Sequence, residues 1–364
     1  MKYITRIFLS LVSVLTCALC SAETNGRVLI APADSNLVLV GRFKVSPDSA
    51  QYVYPGSTIR LRFRGDASVY AKLKPGAGVY NVYVDSLAPR KIDTYASADS
   101  LYLIAAGLTN AEHTISLMLI SEGCFHNPAF YGFSLEEGAE VLKSEYKPLK
   151  IEFIGNSITC GYGVETQSQT DTFSFQTENF AKSFAGLTAA ALDADAMVVA
   201  RSGIGVYRNF GDKKEGSVSP LPSFYGKVHI FGQEEWNFAS FTPSIVFVNL
   251  GTNDLSVGSY DLSLFRSAYC RFVDQLLRAY PQAHIVLLTG PMLHGRRLRH
   301  QKRVLNSIHK HFLSSGCTRV HRFDFAPQNG TLGYSADWHP SAAQHKVMAR
   351  MLVEWGEKEW WGEW

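Results

Sequence analysis

Two different rhythms of apolar and polar residues divide this chain. From about residue 27 to 145, short runs rich in Val, Tyr, Leu and Ile recur: "NLVLVGRF", "STIRLRF", "SVYAKL", "VYNVYVD", "SLYLIAAGL" and "HTISLMLI". Pro55-Gly56, Gly65-Asp66, Pro75-Gly76 and Thr109-Asn110 punctuate them, and no helical period is sustained. The pattern predicts an N-terminal β-sandwich, a jelly roll, over 27–145.

After "EVLKSEYKPLK" the rhythm changes, and strand-like runs alternate with helix-like ones. The predicted strands are Lys150–Ile154, Met197–Ala200, Ser244–Leu250, His284–Leu288 and Arg319–Phe325. The predicted helices are Phe173–Leu192, Asp261–Tyr280, Leu298–Leu313 and Ser341–Trp355. In "LSLFRSAYCRFVDQLLRAY", Leu262, Phe265, Tyr269, Phe272 and Leu276 fall on one face at three- and four-residue steps. Such alternation predicts a three-layer α/β/α domain over 148–364, built on a parallel five-stranded sheet. Ligands of such sheets bind beyond the carboxyl ends of the strands.

Four polar signatures fall at that edge. "KIEFIGNSITCGYG" ends the first strand on Ser157. "RSGIGVYRN" follows the second strand with Ser202-Gly203, "NLGTND" follows the third with Asn253, and "YSADWHPSAAQH" carries His339 ahead of a helix. A serine hydroxyl is a weak nucleophile until a neutral imidazole takes its proton. The tetrahedral intermediate then needs preorganised donors. The Ser157 N–H, the Gly203 N–H and the Asn253 side-chain amide are candidates for that oxyanion hole, with Ser157 and His339 as nucleophile and base. Each has a blander reading: Ser157 as a helix N-cap, Asn253 with Asp254 as a cap, Gly205 in place of Gly203, and His339 as a solvated turn residue.

The order Ser, Gly, Asn, His resembles the SGNH (GDSL-type) hydrolases. "GNSITCGYG", "SGIGVYRN", "PSIVFVNLGTND" and "DWHPS", together with a leading jelly roll, are similar to carbohydrate esterase family 2, the acetyl xylan esterase group. The resemblance covers nearly all of the chain after residue 22. It implies hydrolysis of O-acetyl groups on plant cell-wall polysaccharides or oligosaccharides. Two departures stand out. Asn156 replaces the usual Asp before the nucleophile. Position 336 is Ala where the superfamily places its third triad residue, and Asp337 lies only two residues before His339. Either Asp337 or, as in other members of that family, a backbone carbonyl orients the imidazole. Trp338 and Tyr207, beside the base and the oxyanion loop, are candidate sugar-stacking residues with packing as the alternative. Tyr225 and Trp236 lie in the long connection between the second and third strands, a candidate binding wall.

Composition narrows the rest. The net charge of +3 over 364 residues argues against a nucleic-acid partner. Lys2 and Arg6 ahead of the apolar run Ile7–Leu19, with Cys20-Ser21-Ala22 after it, read as a signal peptide over 1–22. A lipoprotein cysteine at Cys17 or Cys20 is the alternative. The expectation is therefore an exported, periplasmic or extracellular protein, with no membrane span and as a monomer. Cys124, Cys160, Cys270 and Cys317 match no zinc pattern, and the sequence leaves their pairing open. His309 and His311 are two apart on a helix and share no face. Nothing in the pattern calls for a metal or an organic cofactor. The basic stretch Gly295–Arg303 reads as a solvated helix start. The terminal tryptophans Trp355, Trp360, Trp361 and Trp364 read as docking on the protein, with a sugar platform as the alternative. Two other functions stay open: a carbohydrate-binding protein with weak or lost catalysis, and a lipid or aryl esterase.

Overall fold

The computed structural model describes residues 26–359. The predicted signal segment 1–22, including Cys17 and Cys20, and Trp360, Trp361 and Trp364 lie outside the described residues.

Two six-stranded antiparallel sheets make the first unit. Their strands bury alternate residues, as a half-solvated sheet requires. Ile59, Leu61 and Phe63 of Thr58–Gly65 point inward, as do Ile115, Leu117 and Leu119 of Ala111–Leu119, and all are nearly inaccessible. Arg60, Arg62 and Arg64 face outward between them. Arg62 and Arg64 pair with Glu112 on the neighbouring strand, while Arg60 reaches Asp195 of the second unit at 2.6 Å.

The second unit is a five-stranded parallel sheet. Its strands are β1 (Lys150–Gly155), β2 (Asp195–Ala200), β3 (Ile245–Asn249), β4 (His284–Thr289) and β5 (Val320–Asp324). Its helices are α1 (Ser157–Cys160), α2 (Phe184–Ala191), α3 (Thr252–Ser256), α4 (Leu262–Ala279), α5 (Gly295–Ser314) and α6 (Ala342–Glu359). The strand order is β2-β1-β3-β4-β5. Ile151 and Phe153 of β1 pack toward α2 and α6, through Phe184, Ala185, Met348 and Leu352. Ile154 packs on the other face with Phe265, Tyr269 and Ile308 of α4 and α5. The order reverses between β1 and β3, so a crevice opens past their carboxyl ends. Ser157 and Asn253 stand on either side of it.

α4 follows its predicted stripe: Phe265, Tyr269, Phe272 and Leu276 are buried, and Asp261 caps it by accepting from the N–H groups of Ser263 (2.8 Å) and Leu264 (3.0 Å). The expected helix Phe173–Leu192 is shorter. Regular α-helix begins only at Phe184, where the Ser183 side chain caps it. Upstream, Thr177 Oγ1 donates to the Ser174 carbonyl (2.9 Å) and Phe180 N–H donates to Ile120 O of the sandwich (2.8 Å). Those polar side chains and the sandwich compete for the backbone. Trp355 docks on Phe323, with ring centroids 5.2 Å apart. Cys124, Cys160, Cys270 and Cys317 are all unpaired.

The two units share a buried ion pair. Arg42 of the sandwich meets Glu152 of β1 at 3.2 Å, with both side chains inaccessible. The Tyr225 hydroxyl donates to the other Glu152 oxygen at 2.7 Å, and Trp236 lies 5.3 Å from the guanidinium. Removing one partner strands the other charge in a dry core. Arg42→Met is therefore expected to lower unfolding free energy by about 3–5 kcal/mol. Urea denaturation measures it, and a loss below about 1 kcal/mol contradicts the assignment.

Candidate active site

The turn after β1 is built to expose a serine. A side chain at Gly155 would place its Cβ 2.0 Å from Thr159 Oγ1, so only glycine lets α1 fold back this tightly. Asn156 is the N-cap: its Oδ1 accepts from the Ile158 N–H at 3.1 Å. Ser157 is consequently the first helical residue and not the cap, and its hydroxyl is left for other work.

That hydroxyl meets His339. Ser157 Oγ lies 2.8 Å from His339 Nε2. On the far side of the ring, Nδ1 is 3.0 Å from the Ala336 carbonyl oxygen. A carbonyl can only accept, so Nδ1 carries the proton and Nε2 presents its lone pair to the serine. Burial pushes the imidazole down to about 4, opposed by the Ala336 carbonyl, so the ring is neutral at ordinary pH. The Asp337 carboxylate makes no hydrogen bond to the imidazole. Its backbone is in the left-handed region (φ 52°), and its carboxylate accepts from the Tyr162 hydroxyl at 2.7 Å. Of the two groups expected to orient the imidazole, the Ala336 carbonyl is the one that meets Nδ1, while the Asp337 carboxylate turns to Tyr162. The residue spacing is the reason, since the short turn aims the carboxylate outward.

Sequence reasoning missed a ring stack here. Tyr162 lies over His339 with centroids 4.2 Å apart, and Phe173 covers Tyr162 at 4.0 Å. Asp337 thus touches the histidine's neighbour. The stack limits rotation of the imidazole and shields one of its faces.

The opposite wall is the loop after β2. Gly203 has φ 77°, which favours glycine. Neither its N–H nor that of Ser157 donates to an acceptor among the described residues. The competing Gly205 N–H is committed to Asn209 Oδ1 at 3.1 Å. Asn253, in the first turn of α3, donates one amide hydrogen to the Ile204 carbonyl at 2.7 Å, which leaves the second free. Asp254 does not cap α3. Its Oδ1 accepts from the N–H groups of Val206 (3.0 Å), Tyr207 (2.8 Å) and Arg208 (3.0 Å) and holds the loop shut. The buried Arg208 fastens the same region, its Nε donating to the Asp254 carbonyl at 3.0 Å.

Ser157, His339, Gly203 and Asn253 converge on one cleft of about 490 Å³, walled also by Tyr162, Phe210 and Met292. Trp338 is 57% exposed beside the histidine, with Tyr334 at 5.1 Å on one side of its ring. The other proposed sugar contacts lie elsewhere. Tyr225 is fully buried on Glu152, and Trp236 packs beside Arg42, because the long β2–β3 connection covers that buried charge pair. Tyr207 is buried too: its hydroxyl accepts from the Asp261 N–H at 2.9 Å, and its ring borders a separate cleft against α4. His345 is a packing residue whose Nδ1 accepts from the Phe184 N–H at 3.0 Å.

Known proteins share this architecture. A family model described as Carbohydrate esterase 2 N-terminal matches residues 39–144, and one described as GDSL-like Lipase/Acylhydrolase family matches 153–347. The chain is 35% identical over 318 residues to the Cellulase/esterase CelE of Acetivibrio thermocellus, covering 86% of this chain but 38% of that protein. It is 28% identical over 331 residues to an Acetylxylan esterase / glucomannan deacetylase of Cellvibrio japonicus, covering 89% of each. A family two carbohydrate esterase from Clostridium thermocellum, solved with cellohexaose, superposes with a TM-score of 0.80 at 32% identity, covering 89% of this chain and 98% of that one. The jelly roll, the 2-1-3-4-5 sheet and these matches agree: the chain belongs to family two of the carbohydrate esterases, within the GDSL-like acylhydrolases.

Proposed function

We propose that this chain is an exported serine esterase that removes O-acetyl groups from plant cell-wall polysaccharides or oligosaccharides through an acyl-enzyme. One observation carries the mechanism: the Ser157 hydroxyl at 2.8 Å from a histidine whose other nitrogen is tied to a carbonyl, facing uncommitted N–H donors. Ser157 Oγ attacks the acetyl carbonyl carbon while His339 Nε2 takes its proton. The Ser157 N–H, the Gly203 N–H and the free Asn253 amide hydrogen hold the oxyanion. His339 then returns the proton to the sugar oxygen as the ester C–O bond breaks. Water, deprotonated by the same nitrogen, attacks the acetyl-serine carbonyl, and His339 returns that proton to Ser157 Oγ as the Oγ–C bond breaks and acetate leaves. His339 works on a backbone carbonyl, with no carboxylate behind it.

The names of the Cellvibrio relatives support xylan and glucomannan as substrates, and the exposed Trp338 offers a face for a sugar ring. The N-terminal signal pattern of 1–22 supports export. Acetate release from acetylated xylan and acetylated glucomannan, set against a long-chain nitrophenyl ester, tests the substrate class. Faster turnover of the long-chain ester excludes the polysaccharide reading, and glycan binding without acetate release points to a binding protein.

The lowered histidine sets the pH response. The base is active when neutral, so kcat/KM should stay level from neutrality down to about pH 5 and fall with a midpoint near 4. A midpoint at the ordinary histidine value of 6.5 contradicts the buried, neutral ring. For stability the sign is the same. The neutral ring's contribution is complete above 6.5 and erodes as pH falls toward 4, because the unfolded chain takes the proton first. Unfolding curves at each pH separate the two effects.

A further inference from the structure

Gly203 has nothing of its own to fix the direction of its N–H. A Cβ built there would meet nothing within 4 Å, so its neighbours must hold the peptide. On the C-terminal side, the Phe210 N–H donates to the Gly203 carbonyl at 2.8 Å, and Asn253 grips Ile204. On the N-terminal side the grip comes from the other domain. Glu122, just past the sandwich strand Ala111–Leu119, accepts from the Ser202 N–H through Oε1 at 2.7 Å and from the Ser202 hydroxyl through Oε2.

That carboxylate is itself held firmly. It is 5% exposed, and its own N–H donates to Glu178 Oε2 at 2.7 Å. The flanking chain is tied down on both sides, Ile120 O by the Phe180 N–H (2.8 Å) and the Gly123 N–H by Val53 O (2.9 Å). Burial and the neighbouring Glu122 push the Glu178 carboxyl well up. Glu122, Cys160 and Glu178 place their polar atoms within 4.8 Å of one another. Because Ser202 occupies both Glu122 oxygens, the cluster reads as an anchor for the loop.

We propose that Glu122 is a positioning residue for ester hydrolysis: by clamping both donors of Ser202, the sandwich domain aims the Gly203 N–H at the oxyanion. The inference rests on the esterase reading above. It gives the jelly roll a part in the chemistry without any contact with substrate. A bidentate carboxylate on two adjacent donors fixes both the Arg201–Ser202 peptide plane and the Ser202 rotamer, and so the residue from which the Gly203 peptide departs, which one bond would not do.

The test uses the full chain with 4-nitrophenyl acetate, each preparation titrated to completion with a serine-reactive phosphonate so that kcat is expressed per active site. Glu122→Gln and Ser202→Ala should each lower kcat by about 10–100-fold, with KM changing less than about 3-fold. The double variant should be no worse than the poorer single one, because both remove one clamp. Ser202→Thr, which keeps the hydroxyl, should restore most of the rate. Unchanged kcat per site in the single variants overturns the proposal, and so does a double effect equal to the product of the singles. If Glu122→Gln does not fold, the two Ser202 variants decide the question, since neither leaves a buried carboxylate without its backbone donor. Ser157→Ala separates the two claims. If it keeps its rate, the esterase reading fails. If it is inert while Glu122→Gln and Ser202→Ala are fully active, only the clamp fails.

Discussion

Ser157→Ala is expected to abolish acetate release, with kcat lower by about 10⁴–10⁶-fold. The methyl group supplies no attacking oxygen, and the histidine has no serine proton to take. The remaining rate comes from bound substrate polarised by the Gly203 and Asn253 donors. Stability should change little, because Ser157 is not the helix cap: Asn156 supplies that bond to the Ile158 N–H at 3.1 Å. Glycan affinity should also survive, since the hydroxyl is one small group in a cleft of about 490 Å³. Steady-state kinetics on acetylated xylan, paired with affinity electrophoresis in the same polysaccharide, measures both. A variant that loses binding together with activity points to a wider structural role for the serine.

His339→Ala is expected to be nearly as severe, at about 10⁴-fold or more in kcat, since it removes general base and general acid together. The contrast with Asp337→Ala is informative. A carboxylate that oriented the histidine would cost about 10⁴-fold when lost. Here the Ala336 carbonyl meets Nδ1, and the Asp337 carboxylate accepts from the Tyr162 hydroxyl at 2.7 Å. Asp337→Ala should therefore cost far less, on the order of 10-fold, through a looser Tyr162 stack. Parallel kinetics on the two variants checks this, and equal losses argue for a conventional three-residue relay.

Much of this was legible in the sequence because it depended on local spacing. Ile59, Leu61 and Phe63 alternate with three arginines, which permits only a half-buried strand. Phe265, Tyr269, Phe272 and Leu276 permit only a one-sided helix. Ser157, Gly203, Asn253 and His339 each follow a strand or precede a helix, and the parallel sheet brings those positions to one edge. The readings that failed depended on partners remote in sequence. Tyr225 and Trp236 looked like binding-wall aromatics, but the segment's burden is to cover Arg42, whose charge lies in the other domain. Asp337 pairs with a tyrosine 175 positions away. Glu122 reaches Ser202 across 80 positions and a domain boundary. The helix expected over Phe173–Leu192 starts late because Phe180 spends its N–H on Ile120 of the sandwich. No period within one segment reports such contacts.

Peptide mapping after inactivation by a serine-reactive phosphonate tests the nucleophile most directly. The wild-type chain should lose activity in step with one phosphonyl group on the peptide that carries Ser157, and His339→Ala should label far more slowly. Complete inactivation with that peptide unmodified, or with the label on another serine, contradicts the assignment.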